Sequence, residues 1–148
     1  MIKKFNVRVY GILINDRKEV LVSDEWEYGI EFSKFPGGGL EFGEGTIDGL
    51  KREFKEECNC EIEVIKHFYT TDFFIESMFG KGQLISIYYL VKNTSPLTIR
   101  IVEQAFDFLE KKEPAQCFRW IPLERFSTND MTFPVDKYVA EMIIQTKL

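Results

Sequence analysis

Cysteine and histidine are scarce in this chain of 148 residues: three cysteines (Cys58, Cys60 and Cys117) and a single histidine, His67. With an odd number of thiols, no paired CxxC spacing and one imidazole, neither a disulfide framework nor a zinc site is favoured. Reduced thiols in a cytoplasmic protein are the expectation. Long apolar runs are also missing, and the opening MIKKFNVRVY is too polar for a signal peptide, so neither a membrane span nor a leader is expected. The chain lacks an excess of positive charge. Its formal net charge of −5 argues against a general binder of nucleic-acid polymers or membrane surfaces. There are no repeats, no low-complexity tract and no linker. What is there is ordinary for one globular domain over residues 1–148: 45% apolar and 29% charged residues.

The chain is organised around Gly38–Cys60, GGLEFGEGTIDGLKREFKEECNC. It begins with glycines behind Pro36, a loop whose backbone can approach a ligand closely. From Thr46, the apolar residues Ile47, Leu50, Phe54 and Cys58 recur at three- and four-residue steps, one stripe of a helix. Thr46 is the expected N-cap, with Asp48 favourable in the first turn. Beside the stripe lie Glu53, Glu56 and Glu57, within roughly a 100° arc. Lys51 and Lys55 point elsewhere, and only Arg52 is near, one turn before Glu56. A like-charge pair such as Glu53 and Glu57 costs the helix roughly 0.2–0.5 kcal/mol. Such a face is either merely solvated or a hard-cation site, because carboxylate oxygens with open positions are what Mg²⁺ uses when it also holds phosphate.

The context of this face, and the family it resembles, favours the second. Gly38, five residues, Glu44, seven residues, Arg52-Glu53-Phe54, one residue, Glu56-Glu57, one residue, Asn59-Cys60 resembles the Nudix box, GX5EX7REUXEEXGU, over residues 38–60. Gly38, Glu44, Arg52, Glu53, Glu56 and Glu57 match outright. At average residue frequencies of about 6–7%, such a coincidence has odds on the order of one in a hundred thousand. Phe54 and Cys60 keep hydrophobicity without the aliphatic type. Asn59 stands where the box has the glycine that ends the helix, and Asn is the next-best residue for a left-handed position. FPGG before the box and FRWIPLERF near the end are also similar to this family.

The remaining chain reads as strands at Phe5–Ile14, Glu19–Ser23, Glu61–Ile75, Gln83–Lys92 and Cys117–Ile121, with a turn at Gly80-Lys81-Gly82 and a short extra strand within Pro96–Glu103. Trp26, Tyr28 and Phe32 in the acidic, aromatic DEWEYGIEF either pack a loop or wall a substrate opening. A second helix is expected from Pro134 to Gln145, with Val135, Tyr138, Val139 and Met142 facing inward. This order suggests a mixed sheet packed between helices. The resemblance implies the same α/β fold, an α/β/α sandwich with a central mixed sheet.

The resemblance implies a Mg²⁺-dependent pyrophosphohydrolase of nucleoside diphosphates linked to another group, with Mn²⁺ able to substitute. Glu53, Glu56 and Glu57 are its implied metal ligands, with the Gly38 carbonyl as an addition. Arg52 and Glu44 look like residues that orient those carboxylates; for Arg52 the alternative is a plain surface pair with Glu56. Family members often add a glutamate from the loop before the last strand, as ligand or general base. Glu113 falls there, ahead of Glu103 and Glu110, and an ordinary solvated loop charge is its alternative reading. The proline of ADP-ribose hydrolases and the tyrosine of diadenosine polyphosphate hydrolases are both missing near Ile75–Met78, so a small nucleotide, a nucleoside triphosphate, is the default substrate by elimination. Asp24-Glu25 sits where related enzymes can carry a basic contact. The alternatives are a non-catalytic Nudix-fold nucleotide-binding regulator and a hydrolase of ADP-ribose or nucleotide sugars. A homodimer is one arrangement open to the chain.

Overall fold

A computed structural model describes residues 2–78, 80 and 82–148. It contains strands β1 (Lys4–Leu13), β2 (Glu19–Glu27), β3 (Ile30–Lys34), β4 (Gly37–Gly39), β5 (Ile62–Thr70), β6 (Gly82–Asn93) and β7 (Ala115–Pro122), and helices α1 (Thr46–Cys58) and α2 (Pro134–Thr146). This is the expected mixture of strands and helices. The strands fall into a four-stranded sheet, β4-β1-β6-β5, and a three-stranded sheet, β3-β2-β7. Contacts gather into two compact units, Met1–Ile12 with Pro36–Thr98 and Leu13–Phe35 with Ile99–Leu148. Each unit is built from two separate stretches of chain, so no linker marks a boundary.

The first unit carries the box. Val9 and Tyr10 of β1 and Tyr88 and Val91 of β6 are buried. Tyr10 stacks on Tyr88 with ring centroids 5.1 Å apart. Helix α1 buries Gly49, Leu50, Phe54 and Cys58. Ile47, expected in that stripe, is instead 40% exposed. Gly49 takes its place, because a Cβ there would meet Leu40 Cδ1 at 2.7 Å and Glu44 Oε1 at 2.8 Å, leaving room for no side chain. The N-cap is Gly45 rather than Thr46, and the Thr46 hydroxyl pairs with Tyr89 Oη at 2.6 Å. Asn59 ends the helix in the left-handed conformation (φ 48°, ψ 44°), as its position in the box implies.

Strand β5 stops at Thr70, short of the Ile75 expected. Tyr69 Oη donates to Asp72 Oδ1 at 2.6 Å, and Thr71 turns its hydroxyl to the Ser86 carbonyl at 3.1 Å, so side chains draw this segment out of the regular ladder. Lys81 of the expected turn lies outside the described residues.

The second unit holds the antiparallel β3-β2-β7 sheet. Strand β2 runs to Glu27, beyond the expected Ser23, and pairs with β3 through Ser23↔Lys34 to Glu27↔Ile30. DEWEYGIEF is thus a hairpin. Its two central residues, Tyr28 (φ 56°) and Gly29 (φ 79°), both have positive φ, the pattern of the two-residue type I′ turn whose twist matches the strands. Pro96–Glu103 contributes one parallel bridge, Ile101↔Phe118, and no named strand. Helix α2 opens at Pro134 as expected and buries Val135, Asp136, Val139, Ala140 and Ile143. Tyr138, expected inward, is 48% exposed, and Met142 is only partly buried. The inward stripe is rotated by about one residue. Among the described residues, no helix is long and apolar enough to cross a membrane.

Candidate active site

The site is built on α1 and the Gly38–Glu44 stretch that precedes it. Arg52 lies at its centre. Its Nη2 donates to Glu44 Oε1 at 2.7 Å and its Nε to Glu44 Oε2 at 3.0 Å, a two-point fork onto one carboxylate. Nη2 also donates to the Gly39 carbonyl at 3.0 Å. Nη1 reaches Glu53 Oε1 at 3.0 Å and Glu56 Oε2 at 3.2 Å. Glu41 Oε2 lies 3.4 Å from Nε. The surface pair with Glu56 is therefore one contact of several, and Arg52 ties the loop before α1 to the acidic flank of the helix.

The electrostatics follow from these contacts. Hydrogen bonds from Arg52, and then the Glu41 backbone N–H at 2.9 Å, lower the Glu44 carboxyl from its ordinary 4.5 to about 2. The Glu44 hydrogen bond in turn raises Arg52 above its ordinary value, against the opposing effect of burial. The guanidinium is a fixed positive charge among four carboxylates.

Glu53 is held between Arg52 and the glycine loop. A Cβ at Gly38 would sit 2.7 Å from the Glu53 carboxyl carbon and from both its oxygens, so only glycine lets backbone and carboxylate come so close. Glu57 has its Oε2 buried on the same helix, while the Glu56 side chain is the more open one, 58% exposed. Carboxylates and a backbone carbonyl are hard oxygen donors, the type that suits Mg²⁺ or Mn²⁺ and not a thiophilic metal. By donor type, then, Gly38, Glu53, Glu56 and Glu57 fit such an ion. Among the described residues, no three acidic, histidine or cysteine side chains are already converged as a metal cluster, since Glu53 and Glu56 are turned to Arg52.

The other expected residues lie in the second unit. Glu113 Oε1 accepts the Gly29 N–H at 2.7 Å, and a cis peptide joins Glu113 to Pro114. Asp24 is fully buried and is answered by Arg119 of β7, with Nε at 2.8 Å from Oδ2 and Nη2 at 3.2 Å from Oδ1. Ser33 adds a 2.6 Å bond. Glu25 pairs with Lys34 Nζ at 3.0 Å, both side chains largely buried. These two acids are internal ion pairs of the sheet. Trp26 packs against the Val102, Phe108 and Cys117 cluster, Phe32 is buried with Phe133 at 5.1 Å, and Tyr28 is exposed at the turn, so the first two are packing residues. All three cysteines are free and buried. Burial first, then the charge of Asp24, pushes the Cys117 thiol up to about 11.

Sequence reasoning missed Glu41 and the Gly39 carbonyl as partners of Arg52. Glu41 falls at a variable position of the box, and a backbone acceptor leaves no mark in side-chain spacing.

The NUDIX domain profile matches residues 4–142. No curated protein matches the sequence. Among solved structures, the E. coli ORF135 protein superposes with a TM-score of 0.72 at 19% identity, covering 97% of this chain and 91% of that one. A NUDIX hydrolase from Nitrosomonas europaea gives 0.70 at 18% identity over 97% and 91% of the two chains. A MutT protein from Methanosarcina mazei Go1 gives 0.69 at 18% identity over 99% and 98%. These likenesses show the fold.

Proposed function

Because the chain belongs to the Nudix family, and is thereby a hydrolase of phosphoric anhydride bonds, we propose that it cleaves a nucleoside triphosphate to the monophosphate and pyrophosphate with Mg²⁺. The observation that carries this reading is the convergence of Glu53 and Glu56 on one guanidinium nitrogen of Arg52, at 3.0 and 3.2 Å, beside the backbone at Gly38. A site that gathers this much negative charge takes an anionic substrate only with a cation between them.

Glu53, Glu56, Glu57 and the Gly38 carbonyl are the residues that would hold the ion. When bound, it supplies neutralisation of phosphate charge and a more acidic water. Arg52, locked by Glu44, orients Glu53 and Glu56 through its Nη1. Glu113 is the proposed general base, taking the proton of the attacking water as the phosphorus–oxygen bond to pyrophosphate breaks. The chain is proposed to act as one catalytic domain, as monomer or homodimer, and its three free, buried thiols favour a cytoplasmic setting.

The test is a screen of nucleoside triphosphates, ADP-ribose and nucleotide sugars with Mg²⁺, scored by released phosphate or pyrophosphate. Pyrophosphate released from a triphosphate is the expected result. Cleavage of ADP-ribose or a nucleotide sugar alone moves the assignment to that class. Tight nucleotide binding without turnover makes the protein a regulator.

A further inference from the structure

The loop between Ile99 and Pro114 is fastened to the β3-β2-β7 sheet at three points. Val102 N–H donates to the Phe118 carbonyl at 2.8 Å. Phe106, at φ 61°, donates its N–H to buried Asp24 Oδ2 at 3.3 Å. Glu113 Oε1 accepts the Gly29 N–H at 2.7 Å. Between these points Phe108 is buried and stacks on Trp26 at 6.4 Å. A loop before a final strand is usually mobile; here it is anchored close to both ends.

The carboxylates of this loop do not behave alike. Asp107 pairs with Arg100 at 3.6 Å and Glu110 with Lys112 at 3.2 Å, both exposed pairs within the loop itself. Glu113 instead takes a backbone N–H from a different element. That donor sits at the second central position of a type I′ turn, where the ladder between the two strands makes no use of it. A glutamate side chain has three rotors, and one short bond from a fixed amide restricts them before any substrate arrives.

We propose that the Tyr28–Gly29 turn is the positioning element for Glu113. Gly29 N–H holds Oε1, and Oε2 is the oxygen proposed to receive the proton. The inference rests on Glu113 being the general base of the proposed reaction. It assigns the β2–β3 turn, which lies outside the box, a part in catalysis through Glu113 and not through substrate contact. Holding a catalytic group in its reactive geometry raises kcat and leaves substrate affinity alone, and a misplacement of about 1 Å can cost a hundredfold.

Three variants test it: Glu113→Gln, Glu113→Ala and Gly29→Pro. A Cβ at Gly29 would meet nothing within 4 Å, so the proline change makes no clash; it removes the N–H, cannot adopt φ 79° and therefore also strains the turn. Should Gly29→Pro fail to fold, a one-glycine insertion between Tyr28 and Gly29 displaces the amide without proline. The Gly29 amide is expected to exchange with solvent more slowly in the wild type and Glu113→Gln than in Glu113→Ala. Gly29→Pro is expected to lower kcat roughly ten- to a hundredfold with KM within about twofold. It should lower Tm as well, because the turn loses its φ 79°, whereas the glycine insertion should lower kcat with a smaller change in Tm. Equal Gly29 exchange in the wild type and Glu113→Ala overturns the contact. An unchanged kcat in Gly29→Pro, with Glu113→Gln inactive, overturns the positioning role while the base assignment stands. Full activity in Glu113→Gln removes the base assignment, and the positioning role with it.

Discussion

Arg52 grips Glu44 with two nitrogens, at 2.7 and 3.0 Å, across eight residues of chain. The fork closes the Gly38–Glu44 loop onto the first two turns of α1. It also leaves the third guanidinium nitrogen free to reach Glu53 and Glu56. One side chain thereby sets both the shape of the loop and the orientation of two proposed metal ligands.

This pair carries a pH signature. The Glu44 carboxyl is lowered from 4.5 to about 2, so the folded state favours its ionised form. A group with a depressed folded pKa contributes stability that is complete above its unfolded value and is lost as pH falls through the folded one. The Tm difference between the wild type and Glu44→Gln is therefore expected to be constant above about pH 5. It should shrink between about pH 4.5 and 2. A difference that persists undiminished at pH 2 contradicts the ionised fork.

Hydrolysis is expected to stop with EDTA and return with Mg²⁺ or Mn²⁺. Folding should survive chelation, because α1 is anchored by buried Leu50, Phe54 and Cys58 and Arg52 already answers the nearby carboxylates. Thermal melts with and without EDTA, run beside the activity assay, check both halves. Full activity in chelator sinks the metal assignment.

Glu56→Gln and Glu57→Gln are expected to lower kcat by orders of magnitude. For Glu56, the stability change should stay within about 1 kcal/mol, since an exposed ion pair contributes little. Calorimetry beside steady-state kinetics separates the two effects. A mutant with near-wild-type kcat shows that this helix face is only solvated.

Gly38→Ala presses a methyl group onto the Glu53 carboxylate, whose atoms lie 2.7 Å from the ideal Cβ position. Overpacking of this kind costs about 1–3 kcal/mol, and here it also displaces a proposed ligand. A large fall in kcat with a modest fall in Tm is the expected pair of readings. Retention of wild-type kcat excludes the close approach of loop and carboxylate.

Asp24→Asn breaks a fully buried ion pair and leaves Arg119, whose side chain is 12% exposed, without its counter-charge. Removing one member of such a pair costs about 3–5 kcal/mol, which for a chain of this size lowers Tm by roughly 10 °C. Urea denaturation of both proteins measures it. A change below about 1 kcal/mol shows that the pair is not sealed from water.

The sequence by itself determined the box helix and the residues on its acidic flank. Helical periodicity and box spacing are local properties, so Leu50, Phe54 and Cys58 were legible as the buried stripe, Asn59 as its left-handed end, and Arg52 and Glu44, through the resemblance, as residues beside the acidic flank. Pro134 marked the start of α2 for the same reason. Tertiary structure alone decided what depends on residues distant in the chain. Asp24 and Glu25 read as acids standing where related enzymes can carry a basic contact, until β7 brought Arg119 and β3 brought Lys34 against them. Ile47 is exposed, and the buried position went to Gly49, which Leu40 and Glu44 cover. Glu113 read either as a late ligand or base or as an ordinary loop charge, and its bond to Gly29 spans 84 residues. Spacing along a chain reports which side chains share one element, whereas a contact between elements is set by how their surfaces pack, and that leaves no periodicity to read.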